Sequence, residues 1–85
     1  GIEQKVSITY FIPDAKKAGG SYVTYSGIVK KIDEYEHTII MTDQTVIPIE
    51  QISEIRNCKY RYAIKLLVKN GISVNNLNRE NSVKH

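Results

Sequence analysis

The run Ser21-Tyr22-Val23-Thr24-Tyr25-Ser26-Gly27-Ile28-Val29-Lys30-Lys31-Ile32-Asp33 constrains this chain more than any other stretch. Its β-branched and aromatic residues suit a pleated, half-buried surface. Its alternation, however, is not of one phase. Val23 and Tyr25 set one parity, whereas Ile28 and Ile32 set the other. A regular strand buries the same parity along its whole length. Gly27 sits where the phase changes, and a glycine inside a strand marks a bulge or a sharp bend. The run therefore predicts one long strand, bent at Gly27, that serves both halves of a small barrel.

The flanking segments fit that frame. Over residues 5–12, Val6, Ile8, Tyr10 and Ile12 share one face, and Lys5, Ser7, Thr9 and Phe11 share the other. This is the period of a half-buried strand. Pro13 ends it, because proline has no N–H for a ladder. Residues 14–20 read as an exposed loop, with Lys16 and Lys17 solvated. After the long strand comes a polar turn at residues 33–37, then a strand at 38–42 centred on Ile39, Ile40 and Met41. Asp43-Gln44 takes a two-residue hairpin position, although it lacks the glycine such turns favour. The next strand covers 45–49, with Pro48 turned to an edge or a bend.

Ile49, Ile52 and Ile55 recur every third residue. That spacing suits a helical face. It equally suits one 3₁₀ turn at Glu50-Gln51-Ile52 followed by a short strand through Ser53 to Arg56. The second arrangement is preferred, since a helix here leaves the barrel incomplete. Asn57 fits an N-cap, and residues 58–70 read as a helix. Tyr60, Ala63, Ile64, Leu67 and Val68 form its apolar stripe, flanked by Lys59, Arg61, Lys65 and Lys69. Gly71 suits the left-handed position that closes a helix, with Ile72 as the apolar contact that follows. Residues 73–85 are asparagine-rich and weakly apolar, and read as an extended or disordered polar tail.

The architecture expected is mostly β: about five antiparallel strands in a small, partly open SH3-like or Sm-like barrel with a C-terminal helix, as a single domain over residues 1–72. Eighty-five residues make one small domain. A chain of this size buries about 60–65% of its unfolded surface, so its core is modest and a deep substrate cavity does not fit. Its single cysteine, Cys58, excludes an intramolecular disulfide and a cysteine-based zinc framework; a lone cysteine is usually buried as a small hydrophobe. No apolar run approaches the roughly 20 residues that a membrane helix needs. A cytoplasmic protein with no membrane partner is the simplest expectation.

No catalytic set stands out, and the expectation is a protein that is not an enzyme and uses no cofactor or metal. His37 and His85 have no serine, cysteine or second histidine at a useful spacing, and His37 with Glu34 and Glu36 reads as a solvated acidic turn. The net charge of +3 permits an acidic partner without demanding one. Two kinds of surface remain. Tyr22, Tyr25, Lys30 and Lys31 on the long strand, Tyr35 in the next turn, and Arg61 and Lys65 on the helix combine rings with cations, as single-stranded nucleic acid requires. Tyr60, Tyr62 and Lys69 lie on the same helix. The competing account makes the tyrosines core residues with their hydroxyls at the rim. A continuous basic stripe through Lys30, Lys31 and Lys65 favours the first account. Alternatively, Ile64, Leu67 and Val68 offer a protein partner, or a second copy of the chain, an apolar helix face.

Gly27, the triplet Lys31-Ile32-Asp33, Thr38-Ile39, the acidic Asp43 before the turn, and Val46-Ile47-Pro48 followed by Ile49, Ile52 and Ile55 together resemble the YolD-like family of short bacterial proteins. The likeness covers roughly residues 6–56, including the upstream strand ITYFIPD, and carries no catalytic signature. Members of that family commonly lie beside genes for translesion Y-family DNA polymerases in Firmicutes, their prophages and mobile elements. They have been proposed as the equivalent of UmuD, the accessory subunit of polymerase V. The resemblance thus implies a non-enzymatic accessory or regulatory protein of SOS translesion DNA repair whose partner is a Y-family DNA polymerase.

Overall fold

A computed structural model describes residues 5–59 and 61–75. In order, the elements are β1 (Lys5–Pro13), β2 (Gly20–Asp33), β3 (Thr38–Met41), β4 (Val46–Pro48), a 3₁₀ turn (Ile49–Gln51), β5 (Ile52–Arg56), α1 (Arg61–Lys69) and β6 (Ser73–Asn75). The described residues are mostly strand, with a single helix among them, Arg61–Lys69. The six strands lie in the order β4-β3-β2-β1-β5-β6, and the sheet does not close. β1 to β5 pair antiparallel, as expected. β6 adds a sixth strand, parallel to β5. The polar tail expected from residue 73 thus begins as sheet: Ser73–Asn75 pair with Glu54, Ile55 and Arg56. The rest of that tail, residues 76–85, lies outside the described residues, as does Tyr60 of the expected apolar stripe.

β2 does serve two halves, but not by a bend at Gly27. Its first part pairs with β1 without interruption from Pro13↔Gly20 to Lys5↔Ile28, including Val6↔Gly27. Gly27 is small for another reason. The Tyr25 ring lies over it, so that a Cβ there would stand 2.8 Å from Cε2 of that ring. The break comes three residues later. Val29 pairs with Met41 and Lys31 with Ile40, which leaves Lys30 as the extra residue of a β-bulge. The bulge resets the parity. Val29 and Ile32 both pack on the core, while Lys30 and Lys31 are both exposed.

A second bulge explains the threefold isoleucine spacing. Thr9 pairs with Glu54 and Tyr10 with Ile52, so Ser53 is the extra residue. Its hydroxyl donates to the Thr9 carbonyl at 3.2 Å. Ile52 and Ile55 are therefore both buried, three positions apart within one strand. The 3₁₀ turn and the short strand after it match the preferred expectation.

The core is Val6 and Ile8 of β1, Ile39 and Met41 of β3, Ile47, Ile49, Ile52, Ile55 and Cys58, capped by Ala63, Leu67 and Ile72. The opposite face of β1 and β2 carries cross-strand pairs exposed to solvent. Ser7 and Ser26 share a hydroxyl hydrogen bond of 3.1 Å, Thr9 and Thr24 one of 3.0 Å, and Phe11 meets Tyr22 edge-on at 5.2 Å between ring centroids.

The β3–β4 connection is a three-residue hairpin rather than the two-residue one expected. The Gln44 amide donates to the Met41 carbonyl at 2.9 Å, and the Met41 amide to Thr45 at 2.8 Å. Gln44, at φ 78°, takes the left-handed position that usually falls to glycine. The Asp43 carboxylate holds the turn by accepting from the Thr45 amide at 2.9 Å. Asn57 is likewise left-handed, at φ 64°, and is no N-cap; α1 starts at Arg61, later than expected. The helix end follows expectation. The Gly71 amide donates to Val68 and the Ile72 amide to Leu67, each at 2.9 Å, while Ile72 packs beside Leu67 in the core.

Candidate functional site

The Lys30 bulge decides what this face of the molecule presents. Strict alternation after Val29 would turn Lys31 inward and Ile32 outward. With Lys30 extra, two adjacent lysines point to solvent while both apolar neighbours stay against the core. α1 lies beside this segment. Ala63 and Leu67 are its buried face, and 100° per residue puts Arg61, Tyr62, Lys65, Val68 and Lys69 on the outer arc, where each is exposed.

Two open grooves result. One, of about 350 Å³, runs along Val29, Lys30, Lys31 and Ile32 on one side and Tyr62 and Ala63 on the other. The second, of about 630 Å³, is bounded by Glu34, Tyr62, Lys65, Leu66 and Lys69, among others. Tyr62 lines both and is 60% exposed. Their linings together hold four lysines and one glutamate, against 12 bases and 9 acids in the whole chain. The cations are thus concentrated here, along an apolar floor of Val29, Ile32, Ala63 and Leu66.

The sequence-derived candidates fall into separate places. Lys30, Lys31 and Lys65 line these grooves, and Arg61 is exposed on the same helix. Tyr35, 93% exposed, stands at the tip of the adjoining turn without lining either groove. Tyr22 is on the far side of the sheet, against Phe11. Tyr25 pairs with Ile8 on the core-facing side, half-buried, and its hydroxyl donates to the Asp43 carboxylate. That bond holds the Asp43 carboxyl below its ordinary 3.8 and the Tyr25 phenol above its ordinary 10.0. Tyr25 is thus a clamp on the β3–β4 hairpin. Of the three apolar helix residues, Leu67 is fully buried, Ile64 half-buried and Val68 57% exposed. Val68 is the one that offers a partner substantial surface.

Tyr62 is the central residue that the strand-based reading undervalued. The available signal was its angular place on the helix, about 140° from Leu67 at 100° per residue. Among the described residues, no three of His, Cys, Asp and Glu come together as a metal site, and no helix is long and apolar enough to cross a membrane. Comparison with protein-family models, with curated proteins and with solved structures finds no match to this chain.

Proposed function

We propose that the chain is a non-enzymatic binding module that acts as an accessory protein in translesion DNA repair, docking on a Y-family DNA polymerase in the cytoplasm. The sequence likeness supplies that partner. One observation supports using it: the residues that carry the likeness have interlocking structural roles rather than being scattered. Gly27 lies under Tyr25, Lys31-Ile32-Asp33 close β2 after the bulge, and Asp43 braces the hairpin. Val46–Pro48 form β4, and Ile49, Ile52 and Ile55 are core. These are scaffold roles, which leaves the docking surface to other positions. Val68, exposed beside half-buried Ile64, is the apolar contact available on the helix.

The test is recovery of a Y-family polymerase on the immobilised chain from nuclease-treated extract of DNA-damaged host cells. Recovery that falls with Val68→Asp supports the reading. No polymerase in the eluate, together with unchanged ultraviolet mutagenesis on deletion of the gene, rejects it.

A further inference from the structure

We propose that the two grooves meeting at Tyr62 bind single-stranded nucleic acid, with a base stacked on the Tyr62 ring and phosphates paired with Lys30, Lys31, Lys65 and Lys69. This goes beyond the polymerase reading and stands or falls without it. The geometry carries it in three steps. First, the bulge at Lys30 sets two lysines side by side on one edge of a groove, where regular pairing would expose only one of them. Second, α1 sets Lys65 and Lys69 four residues apart, one turn along the same side, on the edge of the second groove. Third, the wall common to both is an aromatic ring left 60% open to solvent above an apolar floor.

A groove of cations alone would suit any polyanion. An open ring between the cations gives a base its stacking surface, and stacking tolerates any sequence because every base has a π-face. Bases are free to stack in this way only in a single strand. Glu34 lines the larger groove and not the smaller, so the most phosphate-rich contact belongs to Lys30 and Lys31. On the other polar face, that of β1 and β2, the Ser and Thr hydroxyls bond to each other across the strands, and Tyr22, though 64% exposed, meets Phe11 edge-on, whereas Tyr62 lines both grooves beside four lysines.

The experiment is fluorescence anisotropy of labelled oligo-dT and oligo-U with the full chain over a range of salt concentrations. Binding to four phosphates predicts a slope of log K against log salt of about −2.8. Lys30→Ala with Lys31→Ala reduces its magnitude by about 1.4. Tyr62→Ala weakens binding about tenfold or more, and Tyr62→Leu, which keeps apolar bulk without a ring, does the same. Tyr62→Phe and the far-face variant Tyr22→Ala leave binding unchanged. Absence of binding at low salt overturns the proposal. Binding that is insensitive to Tyr62→Leu, and that a polyglutamate peptide displaces as well as unlabelled oligonucleotide does, also overturns it and assigns the groove to an acidic peptide.

Discussion

The described strands carry two β-bulges, and they serve opposite ends. At Ser53 the extra residue is tied down, its hydroxyl donating to the Thr9 carbonyl of the neighbouring strand. Both apolar residues around it, Ile52 and Ile55, are buried. At Lys30 the extra residue is a cation facing solvent, and the flanking Val29 and Ile32 are only half-buried. One bulge therefore fits two isoleucines into the core. The other uses the same parity reset to place two lysines together on the surface. An insertion in a ladder is thus neutral as a device; the side chain on the extra residue decides whether it completes the core or builds a surface.

The largest effects that test this contrast lie in the core. Ile55→Ala, beside the tied bulge, is expected to destabilise the fold by about 2–5 kcal/mol. Ile32→Ala, beside the open one and less buried, is expected to cost roughly half as much. Urea unfolding of the two variants measures both, and equal losses would break the contrast. A smaller difference separates the extra residues themselves. Ser53→Ala removes the bond to Thr9 and is expected to cost about 0.5–1 kcal/mol. Lys30→Ala removes no bond among the described residues and is expected to stay within about 0.5 kcal/mol of the parent.

The smallest effect concerns the hairpin next to the open bulge. Because its folded value lies below 3.8, the Asp43 carboxyl adds stability that is present above pH 3.8 and is lost as pH falls through the folded value. Tyr25 is held above 10.0, so its share is present below pH 10.0 and is lost as pH rises through its folded value. Glu54, held below 4.5 by Arg56 and Asn75, adds a second acid limb near β5. Asp43→Asn is therefore expected to weaken the acid limb without abolishing it, and to flatten the alkaline limb. Urea midpoints followed across pH read both changes. An alkaline limb unchanged by Asp43→Asn would remove the clamp from the account.

Much of the scaffold was legible because its signals are local. The alternation of β1, the 3₁₀ turn with its following strand, and the Gly71-Ile72 helix end each depend on a few neighbouring residues. The harder places are those where one pattern serves two geometries, including the threefold spacing at residues 49–55, where the preferred 3₁₀ turn and strand do form. A gap of three between apolar residues reads as a helical turn, yet Val29–Ile32 and Ile52–Ile55 show that a bulged strand produces it too. Gly27 carries the glycine signal that accompanies bulges, but here it clears space for the Tyr25 ring. Asparagine suits both an N-cap and a left-handed residue, and at Asn57 the left-handed role won. β6 left almost no local trace, because a three-residue parallel strand is set by its distant partner β5. The groove was legible only in part for the same reason: the lysines could be listed from the chain, but their meeting around Tyr62 depends on where α1 lies beside β2.

The bulge at Lys30 turns two consecutive lysines outward. Single cysteine substitutions at Val29, Lys30, Lys31 and Ile32, each labelled by a thiol reagent under native conditions, test it most directly, with buried Cys58 as the slow internal reference. The expected order along the four positions is slow, fast, fast, slow. A strictly alternating pattern, with the residue-31 thiol protected and the residue-32 thiol reactive, would contradict it.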